Sequence, residues 1–134
     1  MGELFSQPWM QQLQQKWNTT SSIVEPLQKA DFSARIGYGF KGESAPRGIL
    51  VIEHGRVIEA GSYDGGNLDW DLRAEPEKWS GWIADGFGLT KLGPAVATGA
   101  LQFATGNYRQ MIRNPSLSNP FLHHFELMSD ISTA

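Results

Sequence analysis

The side chains able to do chemistry in this chain are few. It carries three histidines, fourteen acidic residues against eleven basic ones, and no cysteine. The lack of thiols removes disulfides, thiolate zinc sites and cysteine nucleophiles together, and suits a reducing compartment. His123 and Glu126 stand one helical turn apart and could share a metal. A metal site needs three or four converging ligands, however, and the remaining histidine, His54, lies in a distant turn beside Glu53. His124 falls within an apolar stripe, which makes it a packed histidine or one at the rim of a pocket. Asp69 and Asp71 share one face of a strand, as the paired carboxylates of a hydrolase would. Because Leu68, Trp70 and Leu72 alternate with them, the same pattern describes a strand with one solvated face. There is no Gly-x-Ser-x-Gly or other nucleophile pattern. These residues argue against catalysis: no catalytic residue, metal or cofactor is assigned.

Three short patterns invite functional readings and fail on context. Gly37, Gly39 and Gly42 spell the Gly-x-Gly-x-x-Gly of a dinucleotide site, which sits between a strand and a helix whose N-terminus takes the pyrophosphate. Here Glu43, Ser44, Ala45 and Pro46 follow, which cannot open that helix, and the hairpin pattern after them excludes a β-α-β unit. A glycine-rich strand and turn fits better. Met1, Gly2 and Ser6 fit an N-myristoylation pattern, but Ser6 already has a role as a helix cap and the acidic Glu3 does not help. Asn18, Thr19 and Thr20 fit a glycosylation acceptor, which means nothing without a secretory signal. The first residues lack a basic and an apolar signal region, and no apolar run approaches the roughly 18–20 residues of a membrane span. A soluble, cytoplasmic protein is expected. The net charge is -3 with no Lys/Arg cluster, so nucleic acid is not an expected partner.

The elements that would position these residues can be read from periodicity. With 134 residues the chain is expected to form one domain, residues 1–134. Ser6 caps a first helix with Pro8 in its first turn and Trp9, Met10, Leu13 and Trp17 along one face. Residues 23–30 continue as a second helical segment. Alternation over residues 32–40 predicts a strand, and residues 48–52 and 56–60 around Glu53, His54 and Gly55 predict a hairpin. A turn at residues 63–67 leads to a strand over residues 68–72. Pro76 opens a helix with Trp79, Trp82 and Ile83 at i, i+3, i+4, ended by Gly86 and Gly88. Residues 89–99 read as a loop and short helix, 100–104 as a strand and 107–113 as a helix. A last helix carries Leu117, Phe121, His124, Phe125, Met128 and Ile131 on one stripe. Helices, an antiparallel sheet, then helices make an α+β domain.

Aromatic and apolar residues are the remaining signal. Five tryptophans is a high count, and Trp70, Trp79 and Trp82 fall close together before an apolar last third. From residue 32 onward the chain resembles the sterol carrier protein (type-two, sterol-transfer) family. The shared features are a hairpin with a His54-Gly55 turn, a strand, a helix with the central Trp79, and the run Pro94, Ala95, Ala97, Gly99, Leu101, Gly106. Asn107 stands where the family commonly has an acid, and residues 5–17 extend the front with a glutamine-rich helix; neither departure points to sterol as the ligand. The resemblance implies a twisted, largely antiparallel sheet of about five strands, covered on one face by helices, with an apolar tunnel between them. It implies non-catalytic carriage of a fatty acyl, sterol, phospholipid or isoprenoid/quinone-type molecule, without a cofactor, exchanged with a membrane surface or a partner enzyme. The expected lining is Trp79, Trp82, Ile83, Phe87, Leu92, Val96, Leu101, Phe103, Met111, Phe121, Phe125 and Met128, with the C-terminal stripe as a movable cover. Two other classes stay open: a scaffold subunit that binds a partner protein in lipid or quinone metabolism without a ligand of its own, and an enzyme on an apolar substrate.

Overall fold

Alternating apolar residues build the centre of the sheet. In the computed structural model, which describes residues 4–85, 94–106, 120, 123–128 and 131, strand β1 (Ala34–Phe40) lies in the middle of five. The order is β3-β2-β1-β4-β5, with β2 at Gly48–Glu53, β3 at Arg56–Ser62, β4 at Trp70–Ala74 and β5 at Gln102–Thr105. Only β1 and β4 run parallel; the other neighbours are antiparallel, so the sheet is mixed and open. Register sets Ile36 beside Leu50 and Trp70, Ala34 beside Ile52, and Tyr38 beside Leu72. These residues share one buried face, and burying each large side chain stabilises the fold by about 1.5–3 kcal/mol.

The β2–β3 hairpin turns on His54 and Gly55, both in the left-handed region at φ 50° and 81°, as a two-residue turn compatible with strand twist requires. Gly55 is needed for a second reason: a Cβ there would stand 2.6 Å from the backbone of Gln28. That close approach seats α2 (Ser21–Lys29) against the hairpin.

Helix α1 (Gln7–Asn18) buries Trp9, Met10, Leu13 and Trp17. Its polar residues also work: Asn18 receives the Val57 N–H (2.9 Å) and donates to the Val57 carbonyl (2.8 Å). The Gln14 amide donates to the same carbonyl at 3.0 Å and the Trp17 indole to the Gly55 carbonyl at 2.9 Å. Side chains of α1 thus satisfy backbone groups of β3, an edge strand otherwise open to pairing. Ser6 occupies the N-cap position with an extended backbone, but its hydroxyl makes no capping bond, contrary to expectation. Helix α3 (Pro76–Asp85) begins at its proline as expected. No helix among the described residues is long and apolar enough to cross a membrane.

Strand β4 departs from its sequence pattern. All five of its residues are buried, Asp71 and Arg73 included, so it has no solvated face. Register places Gly37 opposite Asp71 and Gly39 opposite Arg73. A Cβ on Gly37 would meet Leu68 at 2.8 Å, and one on Gly39 would meet the Pro46 backbone at 2.8 Å. The bare glycines let residues 43–47 and 66–68 close over this outer face. Beneath them Arg73 donates to both Asp71 oxygens (2.6 and 2.9 Å) and to the Glu43 carbonyl (2.9 Å). The Gly-x-Gly pattern is therefore a site of close packing on a strand, and Gly42, at φ 87°, makes the turn after it.

Candidate apolar ligand site

The inner face of the sheet is aromatic, and Phe5 is its hub. Its ring meets Trp9 (centroids 5.2 Å, edge-on), Trp79 (5.0 Å, edge-on), Tyr38 (5.6 Å, stacked) and Phe40 (5.9 Å). Phe5 sits at φ 63°, an unfavourable conformation for a bulky residue, which the surrounding rings must hold in place. From α3, Trp79 packs edge-on against Trp82 at 5.6 Å and donates its indole N–H to the Gly39 carbonyl at 2.8 Å. That bond ties α3 to the central strand.

The segment before β5 approaches from the other side. A helical turn at residues 94–97 and a left-handed Gly99 (φ 78°) bring Ala95 and Leu101 into the core. The Lys41 ammonium bonds to the Gly99 carbonyl and fixes this turn. Val96, Leu101 and Phe103 also line an open depression of about 390 Å³ at the sheet edge.

The C-terminal helical residues 123–128 complete the cluster. His124, Phe125, Leu127 and Met128 are buried, as is Ile131. The Tyr38 hydroxyl and His124 Nε2 lie 2.8 Å apart inside this apolar region, and the Trp17 ring meets His124 edge-on at 5.4 Å. Burial pushes the Tyr38 phenol far above its ordinary pKa, so it stays neutral. On the residue before His124, His123 Nδ1 meets the Ser22 hydroxyl of α2 at 2.9 Å.

Of the twelve expected lining residues, Trp79, Ile83, Leu101, Phe125 and Met128 are buried in one hydrophobic cluster, and Trp82, Val96 and Phe103 pack partly buried against it. Phe87, Leu92, Met111 and Phe121 lie outside the described residues, as does the helix expected over residues 107–113. Sequence reasoning left Phe5, Trp9 and Tyr38 off the lining, while His124 is packed in this region as its place on the apolar stripe indicated. The helical stripe of α1 was the available signal for Trp9; nothing local could show that Tyr38 and His124, 86 positions apart, would meet.

The groups that suggested chemistry are held by structural partners. Asp69 accepts the Arg35 backbone N–H at 2.8 Å, while Asp71 pairs with Arg73. His54 pairs with Asp31 at the surface, and its backbone N–H donates to the Ser33 hydroxyl at 3.2 Å. Among the described residues no three His, Asp or Glu side chains are placed to hold a metal ion.

No protein-family model and no curated protein sequence matches the chain. Solved structures do. A crystal structure of sterol carrier protein 2 superposes with a TM-score of 0.76 at 14% identity, covering 97% of this chain and 100% of its own. The fold is that of sterol carrier protein 2. A conserved hypothetical protein of Thermus thermophilus, described as possibly a sterol carrier protein, matches with a TM-score of 0.66 at 17% identity, over 100% of this chain and 96% of that one. UbiJ-SCP2, a ubiquinone synthesis protein, matches with a TM-score of 0.59 at 14% identity, over 90% of this chain and 88% of its own. The coverage corrects the sequence reading in one respect: the likeness is not confined to residue 32 onward but takes in the two front helices.

Proposed function

We propose that this protein binds one apolar molecule within the aromatic cluster between sheet and helices and carries it, without chemistry, to a membrane surface or a partner enzyme. The observation that supports this most is that Trp79, Ile83, Leu101, Phe125 and Met128 are buried in one hydrophobic cluster with Phe5 and Trp9, in a sterol carrier protein 2 fold. Phe87, Leu92, Met111 and Phe121 belong to the same proposed lining, together with Trp82, Val96 and Phe103. The cytoplasm is the proposed compartment. The structural commitments of Asp69, Asp71 and His54 support carriage over catalysis. Affinity of the right order is available: burying about ten methylenes contributes roughly 8 kcal/mol gross, and ordering costs bring it to the micromolar range. Met128 adds a side chain able to adapt to ligand shape.

The similarity to UbiJ favours a quinone-type isoprenoid as cargo, or a partner protein in quinone synthesis. Native mass spectrometry of freshly purified protein, followed by organic extraction, tests both. Mass in excess of 14.8 kDa that is lost on denaturation and recovered as a lipid or quinone supports carriage. A bare mass with no uptake of added fatty acid, sterol or isoprenoid, alongside a co-purifying protein, supports the scaffold role instead.

A further inference from the structure

Two buried indoles in this fold are anchored to backbone carbonyls: Trp17 to Gly55 at 2.9 Å and Trp79 to Gly39 at 2.8 Å. Trp9 is not anchored in this way. It is fully buried, yet among the described residues its Nε1–H has no hydrogen-bond partner. A buried donor left unpaired is costly, and a phenylalanine would fill the same apolar surroundings without that penalty. The ring lies edge-on against Phe5, which in turn touches Trp79 and Tyr38, so the orphan donor sits in the same cluster as the proposed lining.

We propose that the Trp9 indole N–H is the polar anchor of the cargo, donating to a neutral oxygen on an otherwise apolar molecule. This rests on the carriage reading above. The oxygen is neutral because, among the described residues, the buried basic side chains are only Arg73 and His124, and both are engaged. The buried charged pair, Asp71 and Arg73, lies on the opposite face of the sheet and is internally matched, and the neutral Tyr38 hydroxyl is engaged with His124. The cargo class is therefore a ketone, quinone, ester or alcohol rather than a free fatty acid or a pure hydrocarbon.

Undecane, 2-undecanone, 1-undecanol and undecanoate separate these cases at one chain length. In ¹⁵N–¹H spectra of the wild-type protein, the Trp9 indole resonance should move downfield with the ketone or the alcohol and not with undecane; which of the two acts tells carbonyl from hydroxyl. In Trp9→Phe, the affinity ratio of ketone or alcohol to undecane should fall at least threefold, with undecane itself changed less. If these ligands bind while the Trp9 resonance stays still and the ratio survives in Trp9→Phe, the anchor is overturned and carriage stands. Undecanoate binding at Trp9 as tightly as the ketone overturns the neutral-oxygen assignment. Failure of all four to bind overturns carriage and anchor together. The wild-type spectra decide the matter even where Trp9→Phe folds poorly.

Discussion

Trp79→Phe and Trp9→Phe form a matched pair of perturbations to the apo protein. Both remove the same atoms from a fully buried site, so the loss of apolar contact is similar, about 1–2 kcal/mol each. They differ in hydrogen bonding. Trp79→Phe also deletes the donor at 2.8 Å from the Gly39 carbonyl and leaves that buried oxygen short of a partner, a further 1–3 kcal/mol or so. Trp9→Phe deletes a donor with no partner among the described residues. Trp79→Phe should therefore be less stable than Trp9→Phe by about 1–3 kcal/mol, and Trp17→Phe, which loses a 2.9 Å bond to Gly55, should fall with Trp79→Phe. Urea unfolding followed by far-ultraviolet circular dichroism measures this, provided the slope of free energy against urea is the same in all three variants. A Trp9→Phe variant as destabilised as the other two would refute the reasoning, because it would mean that the Trp9 N–H makes a bond in solution and is not waiting for a ligand.

Asp71→Asn should destabilise the fold by about 3 kcal/mol in urea unfolding, since it leaves the Arg73 charge buried, while lipid binding per folded molecule stays unchanged. Loss of binding with the fold intact would place the outer face in the site. Gly39→Ala should cost about 2–3 kcal/mol, because its Cβ falls 2.8 Å from the Pro46 backbone. Gly42→Ala meets no atom within 4 Å and should cost about 1 kcal/mol for its positive φ alone; equal losses at the two sites in the same unfolding assay would contradict the packing account. Tyr38 stays protonated in the folded protein at pH values where the unfolded chain ionises, so its contribution is fully present below about pH 10 and lost as pH rises above it, by up to about 1.4 kcal/mol per unit. Tyr38→Phe should flatten that alkaline fall in the urea midpoint. Phe125→Asp puts a charge among buried aromatic and apolar side chains and should weaken lipid uptake at least tenfold in the molecules that fold, as read by native mass spectrometry.

Elements whose signal is local were legible in the sequence. The α1 stripe, the proline that opens α3 and the His54-Gly55 turn each rest on a few neighbouring residues, and each forms where expected. Strand β4 was misread because alternation reports which side chains share a face, not what lies on that face. A usable signal was present nevertheless: Gly37 and Gly39, two residues apart on a strand, leave one face bare, and a bare strand face is where another backbone can come close. The Ser6 cap failed for a different reason, since a correct backbone position does not oblige the hydroxyl to turn inward. Of the C-terminal stripe, which the sequence reads as a movable cover, His124, Phe125 and Met128 are buried, and His124 meets Tyr38 of β1.

The two faces of the sheet give the strongest reason for placing an apolar cargo where it is proposed. On the outer face, residues 43–47 and 63–68 roof a matched ion pair and leave a depression of about 410 Å³ lined by Ser44, Asn67, Asp71, Arg73 and Thr105, surroundings that would penalise a hydrocarbon chain. On the inner face the described polar groups are few: two indoles on backbone carbonyls, a neutral phenol on a histidine, and the Trp9 indole. An apolar molecule is favoured on that side alone. The unpaired Trp9 indole N–H there supplies what a uniformly apolar core lacks, a fixed direction for one end of the cargo.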